Sequence, residues 1–200
     1  YYGYWLWSWR GGRNIKKKGG KPVKKRKWWL IGLATVVLII LGIGGKQYMD
    51  KKAIEKDYQQ GIDLIQKYVS NYLVENYEGI EKIEWQGVGV EWRNAKGYGT
   101  SLLGNYVNSE IRVYVSKDDY FMMYFRLTDK TEYDDELKKY VVLDSLNDKN
   151  TDVAVRVGLR NATYDLNQAE KKVFERFRKS DKGRPNAKVV YNLEIHELTY

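Results

Sequence analysis

A chain of 200 residues that is 43% hydrophobic and 14% aromatic is long and apolar enough to bury a core, which excludes an extended disordered chain. It has no cysteine, which excludes a disulfide framework, a thiol nucleophile and thiolate metal sites. The net charge of +9 would suggest an anionic partner, but its distribution argues against nucleic acid: ten of the 35 Lys and Arg fall in residues 1–27 with no acid, residues 28–45 are uncharged, and the rest carries 25 basic and 26 acidic side chains.

Residues 1–22 open with six aromatics in the first nine positions and show neither helical nor strand period. Lys18-Gly19-Gly20 is what a purine-rich ribosome-binding sequence yields when translated in frame, two residues before a Val23 that a GUG start would encode. Residues 1–22 therefore read as a non-native or disordered leader, with a genuine cytoplasmic tail or a fragment of a longer chain as the alternatives. Residues 23–27 form a basic flank, which the positive-inside rule places in the cytoplasm.

Residues 28–45 read as a transmembrane helix: 18 uncharged residues rich in Leu, Ile and Val, long enough for about 27 Å of helix. Trp28 and Trp29 stand where an interfacial aromatic belt belongs, and Lys46 can snorkel at the far side. Membrane lipid is thus the expected partner of 28–45, and residues 46–200 are expected outside the cell as one extracytoplasmic domain. The competing reading is a secretory signal cut near Gly42-Ile43-Gly44.

The membrane helix is expected to continue as an amphipathic one with apolar positions at Ile54, Tyr58, Ile62, Ile65, Tyr68/Val69 and Tyr72/Leu73, ending near Tyr77 with Gly79 as its stop. Residues 80–92 read as a strand broken by a bulge at Gly87 to Gly89, followed by a Gly-rich loop over 94–105. Residues 109–116 and 120–128 form a hairpin. Its second strand puts Phe121, Met123, Phe125 and Leu127 on one face and Tyr120, Met122 and Tyr124 on the other, and apolar character on both faces predicts a central strand covered twice. Then come a helix over 134–146, a strand over 151–159, a helix over 167–177 capped by Asp165 or Asn167, and a last strand over 187–198. The pattern predicts an α+β fold: an antiparallel sheet with helices packed on it.

The basic flank, the single apolar span, "ENYEGIEKIEWQGVGV" and "NSEIRVYVSKDDYFMMYFRL" together resemble small uncharacterised single-pass membrane-anchored or secreted proteins of streptococci and related Gram-positive bacteria. The resemblance covers residues 23–128 and implies a location; it carries over no catalytic residue.

Chemistry-bearing patterns are sparse. His196 is the sole histidine and, on the last strand, reads as a solvated or structural residue; no Ser-His pair can be built elsewhere and no His-rich metal set exists. Asp148-Lys149-Asn150-Thr151-Asp152 copies the start of a calcium loop, but Val153 and Leu159 stand where Gly and Glu are needed, so it reads as a turn. "GYGTSLLG" (97–104) and "GVGVEW" (87–92) lack the residues of a phosphate-binding loop. Asp118/Asp119 and Asp134/Asp135/Glu136 could in principle act as the paired carboxylates of an envelope hydrolase, and solvated turn or helix-start acids are the favoured reading. No catalytic residue, metal or cofactor is expected. The domain reads as a binding or accessory module for an envelope protein or polymer. Trp85, Trp92 and Tyr98 are the candidate contact residues, with Tyr106, Tyr114 and Tyr124 as further aromatics of the same kind.

Overall fold

The computed structural model describes residues 23–93 and 104–198; within 23–47, side chains are described only at 37, 38 and 45. The chain divides into two compact units, Tyr1–Tyr48 and Met49–Tyr200. Helix α1 (Val23–Asn76) contributes to both. Among the described residues no helix is long and apolar enough to cross a membrane; most side chains of the expected span, 28–45, lie outside that set. The described strands and the helices after α1 belong to the second unit.

The longest pairing in the sheet is a hairpin, β4 (Tyr106–Tyr114) and β5 (Tyr120–Arg126), in register from Tyr114↔Tyr120 to Asn108↔Arg126. Its turn is tied by Ser116, whose Oγ receives the Asp119 amide at 3.1 Å and donates to Asp119 Oδ2 at 2.6 Å. The other edge of β4 carries β2 (Lys82–Trp85) and β3 (Val88–Glu91), both antiparallel to it. Between Trp85↔Ile111 and Gly89↔Asn108 the broken strand advances four residues while β4 advances three, which is the expected bulge. Outside β2 and β3 lie β9 (Lys188–Val190) and β10 (Ile195–Glu197), each parallel to its neighbour.

The α+β class therefore holds, with the sheet mixed instead of purely antiparallel. The expected single strand over 187–198 is two short strands. Two glutamines of α1 hold the link between them: Gln59 Nε2 donates to Leu193 O at 2.7 Å and Gln66 Nε2 to Asn192 O at 2.6 Å. Those carbonyls are spent on the helix, so the ladder breaks there.

Helix α1 lies on the inner face of the sheet. Ile62, Ile65, Val69 and Leu73 are fully buried against Ile83, Ile111, Val113 and Phe125, while Ile54 falls outside the buried stripe. After β5, a one-turn helix α2 (Leu127–Lys130) leads into a second hairpin, β6 (Thr131–Asp134) and β7 (Lys139–Val142). A helix over 134–146 was the expectation. Asp134 Oδ1 instead accepts the amides of Glu136 and Leu137, Lys138 takes φ +52°, and Tyr133 packs edge-on to Tyr140 across the pair, 5.4 Å between centroids.

The expected strand over 151–159 is helix α3 (Asp148–Thr163). Asn147 caps it, its side chain accepting from the Asn150 amide at 2.9 Å, so the segment resembling a calcium loop is a helix start and not a turn. Burial follows Thr151, Val155 and Gly158, a helical spacing, and leaves Val153 and Val157 exposed. Helix α4 (Gln168–Phe174) begins at Asn167 with a capping box to Glu170, settling the choice between Asp165 and Asn167. Finally, β8 (Arg178–Lys179) pairs antiparallel with β1 (Tyr77–Glu78), directly after the end of α1.

Candidate binding surface on the open sheet face

The alternation of β4 and β5 sends Val107, Ser109, Ile111, Val113, Phe121, Met123 and Phe125 to the helix-covered face. The opposite face carries Glu110, Arg112 and Tyr114 from β4, Tyr120, Met122 and Tyr124 from β5, and Lys82 and Glu84 from β2. Tyr124 is 60% exposed and Tyr120 36%. The expectation that β5 is central and covered twice is thus overturned. Among the described residues it pairs with β4 alone, and its second apolar face is tyrosine and methionine, side chains able to sit at a wet surface.

Register builds the surface. Lys82 stands opposite Tyr114, and Tyr114 opposite Tyr120. The two tyrosine rings lie 5.1 Å apart at 45°, the Lys82 ammonium sits 4.1 Å from the Tyr114 ring, and the Arg112 guanidinium is 5.2 Å from the Tyr120 ring. One row along, Glu84 lies opposite Arg112. Its carboxylate accepts from Tyr114 Oη at 2.9 Å and from Lys82 Nζ at 3.1 Å. Burial alone would push the Glu84 carboxyl up; the hydrogen bonds from Lys82 and Tyr114, with the charges of Lys82 and Arg112, outweigh it and hold it below the usual carboxylate range. Beneath the rings, Arg112 Nε is buried with no hydrogen-bond partner among the described residues. Tyr124 stands four residues from Tyr120, about 13 Å along the strand.

Flat aromatic faces flanked by a fixed carboxylate and a guanidinium can stack on a sugar ring or an aromatic side chain and hydrogen-bond its edge. The arrangement holds no nucleophile and base. His196 is exposed on β10, and Asp119 and Asp134 are engaged in their own turns. Among the described residues no group of acids and histidine is placed to hold a metal ion.

The predicted contact residues separate. Trp85 is a core residue, 1% exposed, its indole N–H donating to Ser70 Oγ at 2.9 Å and its ring 5.9 Å from that of Phe125, so it makes no surface contact. The alternation of β2 puts it on the same side as Ile83, which is why it turns inward. Trp92 is half-buried at an open groove of about 910 Å³, with Lys51 4.8 Å from its ring and Tyr58 6.1 Å away. Tyr98 lies outside the described residues. Tyr106 is half-buried beside the guanidinium groups of Arg93 and Arg126, at 5.6 and 5.2 Å. Tyr114 and Tyr124 are on the open face, and Tyr120, expected to be covered, joins them. The available signal was the hydroxyl: on β5 every ring with a hydroxyl takes one face and every phenylalanine the other.

No family model, curated protein or solved structure matches this chain.

Proposed function

We propose that this protein is a single-pass membrane-anchored extracytoplasmic protein, and that its folded region, 46–200, is a cell-envelope binding or accessory module that uses the Tyr114–Tyr120–Tyr124 face as its contact surface. The anchor rests on the uncharged run 28–45 flanked on one side by basic residues. The contact surface rests on one observation: a sheet face left open by the described helices carries Tyr114 and Tyr120 in register and, further along β5, Tyr124, which is 60% exposed.

Two measurements test this. Added protease should digest 46–200 on intact wall-stripped cells, and detergent should be needed to extract the protein; a soluble form beginning at Gly45 or Lys46 would replace the anchor with a cleaved signal. In a sedimentation assay with purified cell-wall sacculi, the Tyr120→Ala/Tyr124→Ala double variant should lose at least tenfold in affinity while keeping the parent's far-UV circular dichroism and a cooperative unfolding transition, the lost Tyr114–Tyr120 contact costing about 0.5–1.5 kcal/mol of stability. Unchanged sedimentation would remove the tyrosine face from the binding surface.

A further inference from the structure

A second groove, about 630 Å³, lies on the side of the unit where β8 meets the end of α1. Lys172 and Arg176 line one wall, and Arg178, Lys182 and Arg184 the other; all five are exposed. Only Glu78 and Glu175 oppose them, an excess of three positive charges in a region that is otherwise near neutral. Glu78 is taken by Arg178 Nε, which holds its carboxyl below the usual range. The other four cations form no ion pair among the described residues.

The backbone bearing these cations is fixed. Ser180 N donates to Asn76 O at 2.9 Å, Arg184 N to Val74 O at 2.6 Å and Gly183 N to Ser180 O at 3.1 Å, so the segment after β8 is bound to the last carbonyls of α1. On the other wall, Gly79 at φ +79° lies against the Arg176 carbonyl so closely that a Cβ would land on it. Part of this charge answers the C-terminal dipole of α1, which has no basic residue of its own in the last turn. That accounts for Lys182 and Arg184, which belong to the segment bonded to α1; it does not account for Lys172 and Arg176.

We propose that this groove binds the phosphates of a linear phosphodiester polymer of the cell envelope. Cations on both walls of an open channel suit a chain of regularly spaced anions better than one isolated ion, with Arg176 and Arg184 able to grip phosphate oxygens in pairs and the lysines acting as point charges. The lining contains no aromatic residue. Stacking on aromatic rings is a main source of affinity for single-stranded nucleic acid, so a base-bearing polymer gains little here. The envelope location rests on the proposed function; the phosphate chemistry rests on the groove.

The test uses the full chain in non-ionic detergent with fluorescently labelled poly(glycerol phosphate), read by anisotropy. The four groove cations without an ion pair, two of which also face the end of α1, predict a log K against log salt slope of about −3, by analogy with single-stranded polyanions. The Arg176→Ala/Lys182→Ala double variant should bind roughly 25-fold more weakly at low salt, at about fivefold per cation, with a slope shallower by about 1.4. Lys117→Ala, on the β4–β5 turn and outside the groove lining, should leave binding unchanged. Undetectable binding, or binding indifferent to the double variant, overturns the proposal. So does a lowered urea midpoint with unaltered affinity, which would give these cations to α1 alone. Equal affinity for a single-stranded oligonucleotide of the same charge, or preference for anionic lipid vesicles over the polymer, reassigns the groove. Each of these results leaves the protease topology free to stand or fall separately.

Discussion

Gly158→Ala inverts an ordinary expectation. Gly158 sits inside α3, where replacing glycine by alanine normally stabilises a helix by about 1 kcal/mol. Here the added Cβ would lie 2.5 Å from Met122 O, 2.9 Å from Phe121 Cδ2 and 3.3 Å from Met123 Cγ. The first neighbour is backbone of β5 and cannot rotate away, so α3 must move off the strand by more than half an ångström, loosening the seat of Val155 as it goes. Overpacking of this kind costs about 1–3 kcal/mol, and a backbone obstacle puts it at the upper end. The net effect is then a destabilisation of about 2 kcal/mol, a urea midpoint lower by roughly 1 M at an m-value of about 2 kcal/mol/M. Val157→Ala, one residue earlier and 41% exposed, supplies the control: it gains helix propensity, loses little burial, and should leave the midpoint unchanged or slightly raised. A midpoint for Gly158→Ala equal to or above the parent's would refute the close seating of α3 on β5.

The indole of Trp85 and the hydroxyl of Ser70 satisfy each other in the core, so Trp85→Phe should cost about 2–4 kcal/mol and Ser70→Ala about 1–2. The double variant should cost less than the sum by about 1 kcal/mol in denaturant titrations; strict additivity would mean the hydrogen bond contributes nothing. At alkaline pH three native tyrosines, Tyr68, Tyr77 and Tyr140, resist ionisation. Burial, reinforced by Asp148, pushes Tyr68 up to about 12, burial pushes Tyr140 up to about 12, and Tyr77 is raised further by burial and its bond to Asp152. An unfolded tyrosine releases its proton near pH 10, so between about pH 10 and 12 the native state holds more protons than the unfolded state and stability falls with rising pH. Urea midpoints should be flat from pH 8 to 9.5 and decline above 10, less steeply in Tyr140→Phe; a midpoint that holds to pH 11.5 contradicts the assignment.

The parts legible in the sequence were those where one signal had no rival. Strict alternation around Lys117-Asp118-Asp119 defined the β4–β5 hairpin, and the three-and-four spacing from Ile62 to Leu73 defined the buried stripe of α1; the start of α4 was bracketed between Asp165 and Asn167, and the capping box with Glu170 chose Asn167. Where two signals competed, the local one misled. Val153, Val155 and Val157 alternate as in a strand, yet only Val155 is buried, because Asn147 caps a helix that faces β5 through Thr151, Val155 and Gly158. Acids at 134–136 resemble a helix start, but the same Asp134 carboxylate that favours a first turn here closes a hairpin. The site was half legible. Tyrosine content pointed to a contact surface, while the choice between Trp85 and Tyr120 depended on which side α1 would cover, and that is decided by contacts distant in sequence.

The parallel strands β9 and β10 also govern when this unit can close. Val88 pairs with Ile195, more than a hundred residues later, and the side chains of Gln59 and Gln66 find their acceptors only at Leu193 and Asn192. A hairpin such as β4–β5 forms in about 1–10 μs, but synthesis of the intervening chain at roughly 5–20 residues per second takes on the order of 5–20 s. For that interval the outer edge of β2 and β3 is bare, presenting Val88, Val90 and a row of unpaired amides to any strand nearby. Newly made copies are therefore open to one another before each is closed by its own last strands, and conditions that slow completion of the chain should raise misassembly of this protein more than of one whose sheet closes early.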